Sequence, residues 1–117
     1  MPKRKEMPDS TAQDTLRRFK ASVFQALAHP TRVHIMELLK DRELTVSDLL
    51  EHLDVEQSNA SQHLTVLRSK NLVAARKAGN QVYYSIRDPL LGRVLESLKE
   101  FFQVHLKETK EVLRELE

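Results

Sequence analysis

The stretch from Thr45 to Ile86 constrains the fold most, because four short patterns follow one another there with almost no linker. Thr45 to Leu53 reads as a short helix packed by Leu49, Leu50 and Leu53. Thr45 and Asp48 open it at the spacing of a capping box, with aspartate in place of the usual glutamate. After Asp54 and Val55 a second helix runs from Gln57 to Ser69, and its Ala60, Leu64 and Leu67 fall at i, i+4 and i+7 as one inner stripe. Two strands follow, Leu72 to Ala78 and Gln81 to Ile86, around a Gly79-Asn80 pair that suits a two-residue hairpin. Alternation in the second strand turns Val82, Tyr84 and Ile86 inward and Gln81, Tyr83 and Ser85 the other way. This order predicts a winged helix-turn-helix.

The outer face of the second helix carries the chemistry. Gln57, Ser58, Asn59, Ser61, Gln62 and His63 are hydrogen-bonding side chains that add little to a core and suit a DNA groove. Side-chain amides pair bidentately with adenine, and serine hydroxyls bond bases or phosphates. Asn59 serves equally well as an early-helix cap or phosphate contact, and His63, beside Leu64, equally well as packing between helices. Positive charge gathers on the same segment. Residues 56–87 hold Arg68, Lys70, Arg76, Lys77 and Arg87 against Glu56 alone, whereas residues 88–117 hold five basic and seven acidic side chains. Arg68 is expected to meet phosphate from the far end of the helix, and Arg76 and Lys77 to meet phosphate or minor groove from the wing. Gln81 and Tyr83 are secondary candidates, so double-stranded DNA is the expected partner.

The flanking segments suggest how two such heads are joined. Met1 to Ala12 is polar and basic, holds Pro2 and Pro8, and reads as a flexible arm. Residues 13–117 then form one DNA-binding and dimerisation domain. Its first helix runs from Gln13 to Ala28 on Leu16, Phe19, Val23, Phe24 and Leu27, before Pro30 starts another helix on Val33, Ile35, Met36 and Leu39. The last helix, Asp88 to Leu116, carries Leu91, Leu95, Leu98, Phe102, His105, Thr109, Val112 and Leu116 in strict alternation of four and three. At ~1.5 Å per residue it is about 43 Å long, more than the diameter of so small a domain. A homodimer through Leu91, Leu95, Leu98, Phe102, His105 and Val112, assisted by Leu16, Phe19 and Val23, accounts for the excess. The expected architecture is mainly α with a small β-hairpin, in the order α-α-α-α-β-β-α.

Further classes of function are excluded or weakened. With 117 residues the chain suits one domain, and no apolar run approaches the ~20 residues of a membrane span. No cysteine is present, so disulfides and thiolate chemistry are ruled out; the expected setting is cytoplasmic. Neither a phosphate loop nor a nucleophile elbow appears, so no catalytic residue and no cofactor is assigned. A nonstandard metal site could form from His105 and Glu108, an i, i+3 pair, with Asp88. The same histidine could instead make the dimer seam responsive to pH. A winged helix used only for protein–protein assembly is the competing nonenzymatic class.

Over about residues 14–105 the chain resembles the ArsR family of bacterial winged-helix repressors. The resemblance rests on Ala26-Leu27-Ala28-His29-Pro30-Thr31-Arg32, Glu43-Leu44-Thr45-Val46-Ser47-Asp48-Leu49, Gln57-Ser58-Asn59-Ala60-Ser61-Gln62-His63-Leu64, Val66-Leu67-Arg68 and the wing from Arg76 to Tyr84. It implies a homodimeric repressor joined by its first and last helices, with Gln57, Ser58, Ser61 and Gln62 nearest the base edges and an inverted-repeat operator. Two departures matter. Where many members carry metal-binding cysteines on the third helix, this chain has Thr45 and Ser47, poor ligands for soft ions. Where others use an Asp-x-His and two partner ligands on the last helix, the equivalents are Asp88, Leu90, Phe101 and Val104, leaving one carboxylate.

Overall fold

A computed structural model describes residues 10–116. The part of the expected arm up to residue 9 lies outside them. Ser10–Ala12 belong to the first helix, α1 (Ser10–Leu27), which starts three residues earlier than its periodic apolar residues suggest. No proline follows Pro8 until Pro30, so nothing breaks that extension. Helix α2 (Pro30–Leu38) starts at His29, whose Nδ1 accepts from the Thr31 N–H at 3.1 Å, with Pro30 in the first helical position.

Helix α3 (Val46–Leu50) is shorter than expected, but its capping box is complete. The Asp48 N–H donates to Thr45 Oγ1 at 3.1 Å, and the Thr45 N–H donates to Asp48 Oδ2 at 3.0 Å. Helix α4 (Gln57–Ser69) ends in a Schellman motif with Asn71 at φ 59. The Leu72 N–H reaches Leu67 O at 3.0 Å and the Asn71 N–H reaches Arg68 O at 2.9 Å, while buried Leu72 and Leu67 supply the accompanying apolar pair. Leu72 thus terminates the helix rather than opening the strand.

Strands β1 (Val73–Ala78) and β2 (Gln81–Ile86) pair antiparallel, Ala78 with Gln81 at the turn and Val73 with Ile86 at the base. Gly79 alone takes a positive φ, +62, the pattern of a type II′ turn, whose twist matches that of paired strands. Leu44 and Tyr84 exchange backbone hydrogen bonds of 3.0 and 2.8 Å, fastening the wing to the segment before α3. Tyr84 and Ile86 face the core as expected. Val82 does not. It is 38% exposed, because the tip of the hairpin reaches past the helices that would cover it.

The core joins Ala26 of α1, Ile35, Met36 and Leu39 of the α2 region, Leu49 and Leu53 around α3, Ala60, Leu64 and Leu67 of α4, and Leu72 and Val73. Val33, expected on the buried side of α2, is 43% exposed, because it lines the open groove between α1, α2 and α5 with Phe24, Leu27 and Leu98. Helix α5 (Pro89–Glu115) leaves this core after its first turns and buries no residue fully. The radius of gyration is 19.1 Å, against about 13 Å for a compact chain of this length.

Leu67 is fully enclosed, so Leu67→Ala should lower the unfolding free energy by about 2–5 kcal/mol in chemical denaturation at fixed protein concentration. Asn71→Gly should leave it unchanged or slightly higher, since glycine takes the left-handed position without a Cβ penalty.

Candidate nucleic-acid interface

The apolar stripe of α4 fixes which of its side chains stay outside. Ala60, Leu64 and Leu67 are buried to 1% exposure or less, and that rotation places Gln57, Ser58, Asn59, Ser61, Gln62 and Thr65 on the open face. Gln57, Ser58, Asn59, Ser61 and Gln62 make no side-chain hydrogen bond among the described residues. Thr65 by contrast folds back onto Ser61 O at 3.0 Å. Asn59 is not the cap of this helix. Glu56 holds that position in extended conformation and makes no side-chain bond to the first turn. The leading N–H groups of α4 therefore keep their capacity for an anion.

His63 leaves this surface. It is half-buried, with its ring centroid 4.4 Å from that of His29 and its Nδ1 3.2 Å from a terminal nitrogen of Arg32. Burial first, then the neighbouring His29 and Arg32, hold its imidazole below the ordinary histidine range. The ring packs between α2 and α4, one of the two roles its sequence position allowed.

The wing divides its two cations. Arg76 is held in a two-pronged pair with Glu43, at 2.8 and 2.9 Å, and lies over the Tyr83 ring at 4.9 Å. The Arg76 guanidinium holds the Glu43 carboxyl below the usual carboxylate range. Arg76 is thus a directed, partly neutralised group. Lys77 is exposed, with no ion-pair partner among the described residues. Gln81, beside the turn, is exposed too, and Arg68 is exposed in the last turn of α4, where a cation also complements the helix dipole.

The expected dimer residues split into two groups. Leu16, Phe19, Leu98, Phe102 and Val112 are 41–58% exposed, and His105 is exposed. Val23, Leu91 and Leu95 pack in part against their own core. The seam is also wider than a strict heptad. Leu90, Val94, Phe101 and Val104 are exposed as a second stripe, turned roughly 90° from the first at about 100° per residue. The same helical projection applied to the sequence would have revealed it.

The three metal-site candidates do not meet within a protomer. The Asp88 carboxylate caps α5, accepting from the Leu90 N–H at 2.9 Å. His105 stands 17 positions further along the same helix, roughly 25 Å away. Among the described residues no three histidine, aspartate or glutamate side chains converge.

Known proteins share this arrangement. The family model described as bacterial regulatory protein, arsR family, matches residues 29–75, from the cap of α2 into β1. An uncharacterized HTH-type transcriptional regulator, Rv0081 of Mycobacterium tuberculosis, is 39% identical over 104 residues, 88% of this chain and 91% of that protein. Its crystal structure superposes with a TM-score of 0.76 at 40% identity, covering 80% of this chain and 95% of that one. The transcriptional repressor SdpR of Bacillus subtilis is 33% identical over 60% of this chain and 78% of its own length. The homodimeric winged helix-turn-helix DNA-binding domain Mb0332 of Mycobacterium bovis gives a TM-score of 0.77 at 27% identity, over 91% of this chain and 95% of that one.

Proposed function

This chain belongs to the arsR family of bacterial regulatory proteins, and from that premise we propose that it is a homodimeric, sequence-specific DNA-binding transcriptional repressor acting in the cytoplasm. The observation that carries this reading is the row of five polar side chains on α4 with no intramolecular partner among the described residues, Gln57, Ser58, Asn59, Ser61 and Gln62. Groups of that kind on a rigid helix find their partners in a ligand. The relatives support the same class, since they are named as regulators and repressors rather than enzymes.

Gln62 and Gln57 read base edges, with Ser58 and Ser61 on bases or adjacent phosphates. Asn59 and the leading N–H groups of α4 take phosphate, as do Lys77 and Arg68 from either side. Arg76 reaches the backbone by sharing its guanidinium between Glu43 and a phosphate. Two heads related by a twofold axis, held by α1 and α5, read an inverted repeat with half-sites about 34–36 Å apart. The exposed Leu16, Phe19, Leu98 and Phe102 supply the apolar contact between protomers.

Selection of bound duplexes from random DNA tests this directly. It should return an inverted repeat, and recovery of no preferred sequence would favour a protein-assembly role. Gln62→Ala should weaken the selected operator about tenfold and leave random duplex unaffected, because one bidentate base contact contributes about 1–3 kcal/mol. Lys77→Ala should weaken both alike and reduce the slope of log affinity against log salt by about 1 per protomer. Phe102→Glu should shift the protein to monomer in sedimentation and abolish operator retention in the same concentration range.

A further inference from the structure

Arg32 stands where three helices meet. Helix α1 ends at Leu27, so its last carbonyls run out of helical donors; Gln25 O accepts from the Ala28 N–H at 3.1 Å, and Ala26 O is left to a side chain. Arg32, from α2, donates its Nε to Ala26 O and a terminal nitrogen to Gln25 O at 3.5 Å, capping α1 from outside. Its other terminal nitrogen lies 3.2 Å from Nδ1 of His63 on α4. One rigid, planar group therefore ties the end of the dimerisation helix to the reading helix. A guanidinium has only donors, so Nδ1 must accept and the neutral ring must carry its proton on Nε2. Arginine does not deprotonate. The contact therefore exists only while His63 is neutral.

The groups facing His63 give its cation no compensation. From α2 it meets the Arg32 guanidinium and the His29 ring, and the His29 Nδ1 is already committed to the Thr31 N–H. On the α1 side the carbonyls of Gln25 and Ala26 accept from the same Arg32 guanidinium. No carboxylate pairs with it among the described residues. Protonation replaces an accepted hydrogen bond by two donors and two positive charges at the same distance.

We propose that Arg32 is a positioning residue that locks the reading helix to the dimerisation helix through His63, and that mild acid opens this lock and lowers operator affinity. The DNA part rests on the function proposed above. His63 follows Ser61 and Gln62 directly, so loosening it tilts the turn that bears the reading side chains. The direction follows from linkage. Burial, His29 and Arg32 depress the ionisation of the docked ring, so the released state binds more protons. The docked state is favoured above the ordinary histidine value of 6.5 and loses that advantage as pH falls through the lower docked value.

The test uses the full-length dimer, the selected operator duplex and a pH series from 7.5 to 5.5. The parent should lose affinity progressively as the pH falls, about tenfold by pH 5.5. His63→Asn places an amide oxygen near the Nδ1 position, and should bind like the parent at pH 7.5 with a flat profile. Arg32→Ala should bind weakly at every pH, and Arg32→Lys, which cannot bridge both helices, should restore only part. Amide exchange on the DNA-free dimer, corrected for intrinsic rates, should show the first turns of α4 losing protection in Arg32→Ala and in the acidified parent, but not in His63→Asn. An unchanged pH profile in His63→Asn, or parental affinity and protection in Arg32→Ala, overturns the lock. If the parent selects no duplex, the proposed function fails, and the exchange data decide the lock alone.

Discussion

Burial of one stripe of α4 is the constraint on which the rest of the molecule depends. Ala60, Leu64 and Leu67 are enclosed against α1, α2 and α3, and the small side chain of Ala60 lets the backbones come close. A shift of a single position would rotate the helix by roughly 100° and carry Ser61 or Asn59 inside without hydrogen-bond partners. The core therefore sets the register of the polar face as strictly as any contact with DNA would. The Schellman ending at Asn71 fixes the exit of the chain, so that β1 leaves the helix in one direction only.

That exit positions the wing, which has no means of standing alone. A two-stranded hairpin is marginal in water unless something packs on it. Here the backbone exchange between Leu44 and Tyr84 supplies a third partner, and the same short segment brings Glu43 within reach of Arg76. An exposed ion pair adds little to stability. Its consequence is directional: it lays Arg76 across Tyr83, restricts where that charge can go, and leaves Lys77 nearer the tip as the more adaptable contact.

Periodicity made much of this legible before any coordinates. The helix-turn-helix, the hairpin and the buried stripe of α4 each repeat over several turns or pairs, so local pattern and tertiary fold agree. Two features lay outside local pattern because each has a partner distant in sequence. His63 lies on the border between the inner stripe and the outer face, and Arg32, 31 positions away, decides which side it joins. The pairing of Arg76 with Glu43, 33 positions before it, is likewise beyond the reach of local pattern. Val82 alternates correctly, but alternation assigns a face and says nothing of how far the covering helices extend. Asp88 differs, because aspartate followed by Pro89 is itself a helix-start signal, and cap rather than ligand was readable there.

Helix α5 carries the argument from protomer to assembly. Its 27 residues bury none fully in their own protomer, while two adjoining apolar stripes lie open. A lone amphipathic helix has nothing to offset the entropy of ordering it. In the proposed dimer a second copy supplies that cover, and the stability of the protein becomes inseparable from protomer concentration. Two stripes suit such an arrangement better than one, because a helix flanked by the α5 and the α1 of a partner needs apolar surface in two directions. In that dimer the separation of the reading heads is set by the rods, which reach each head through the end of α1 and through β2. In the lock proposed above, a change at that junction, where Arg32 caps α1 and touches α4, is what would alter head orientation.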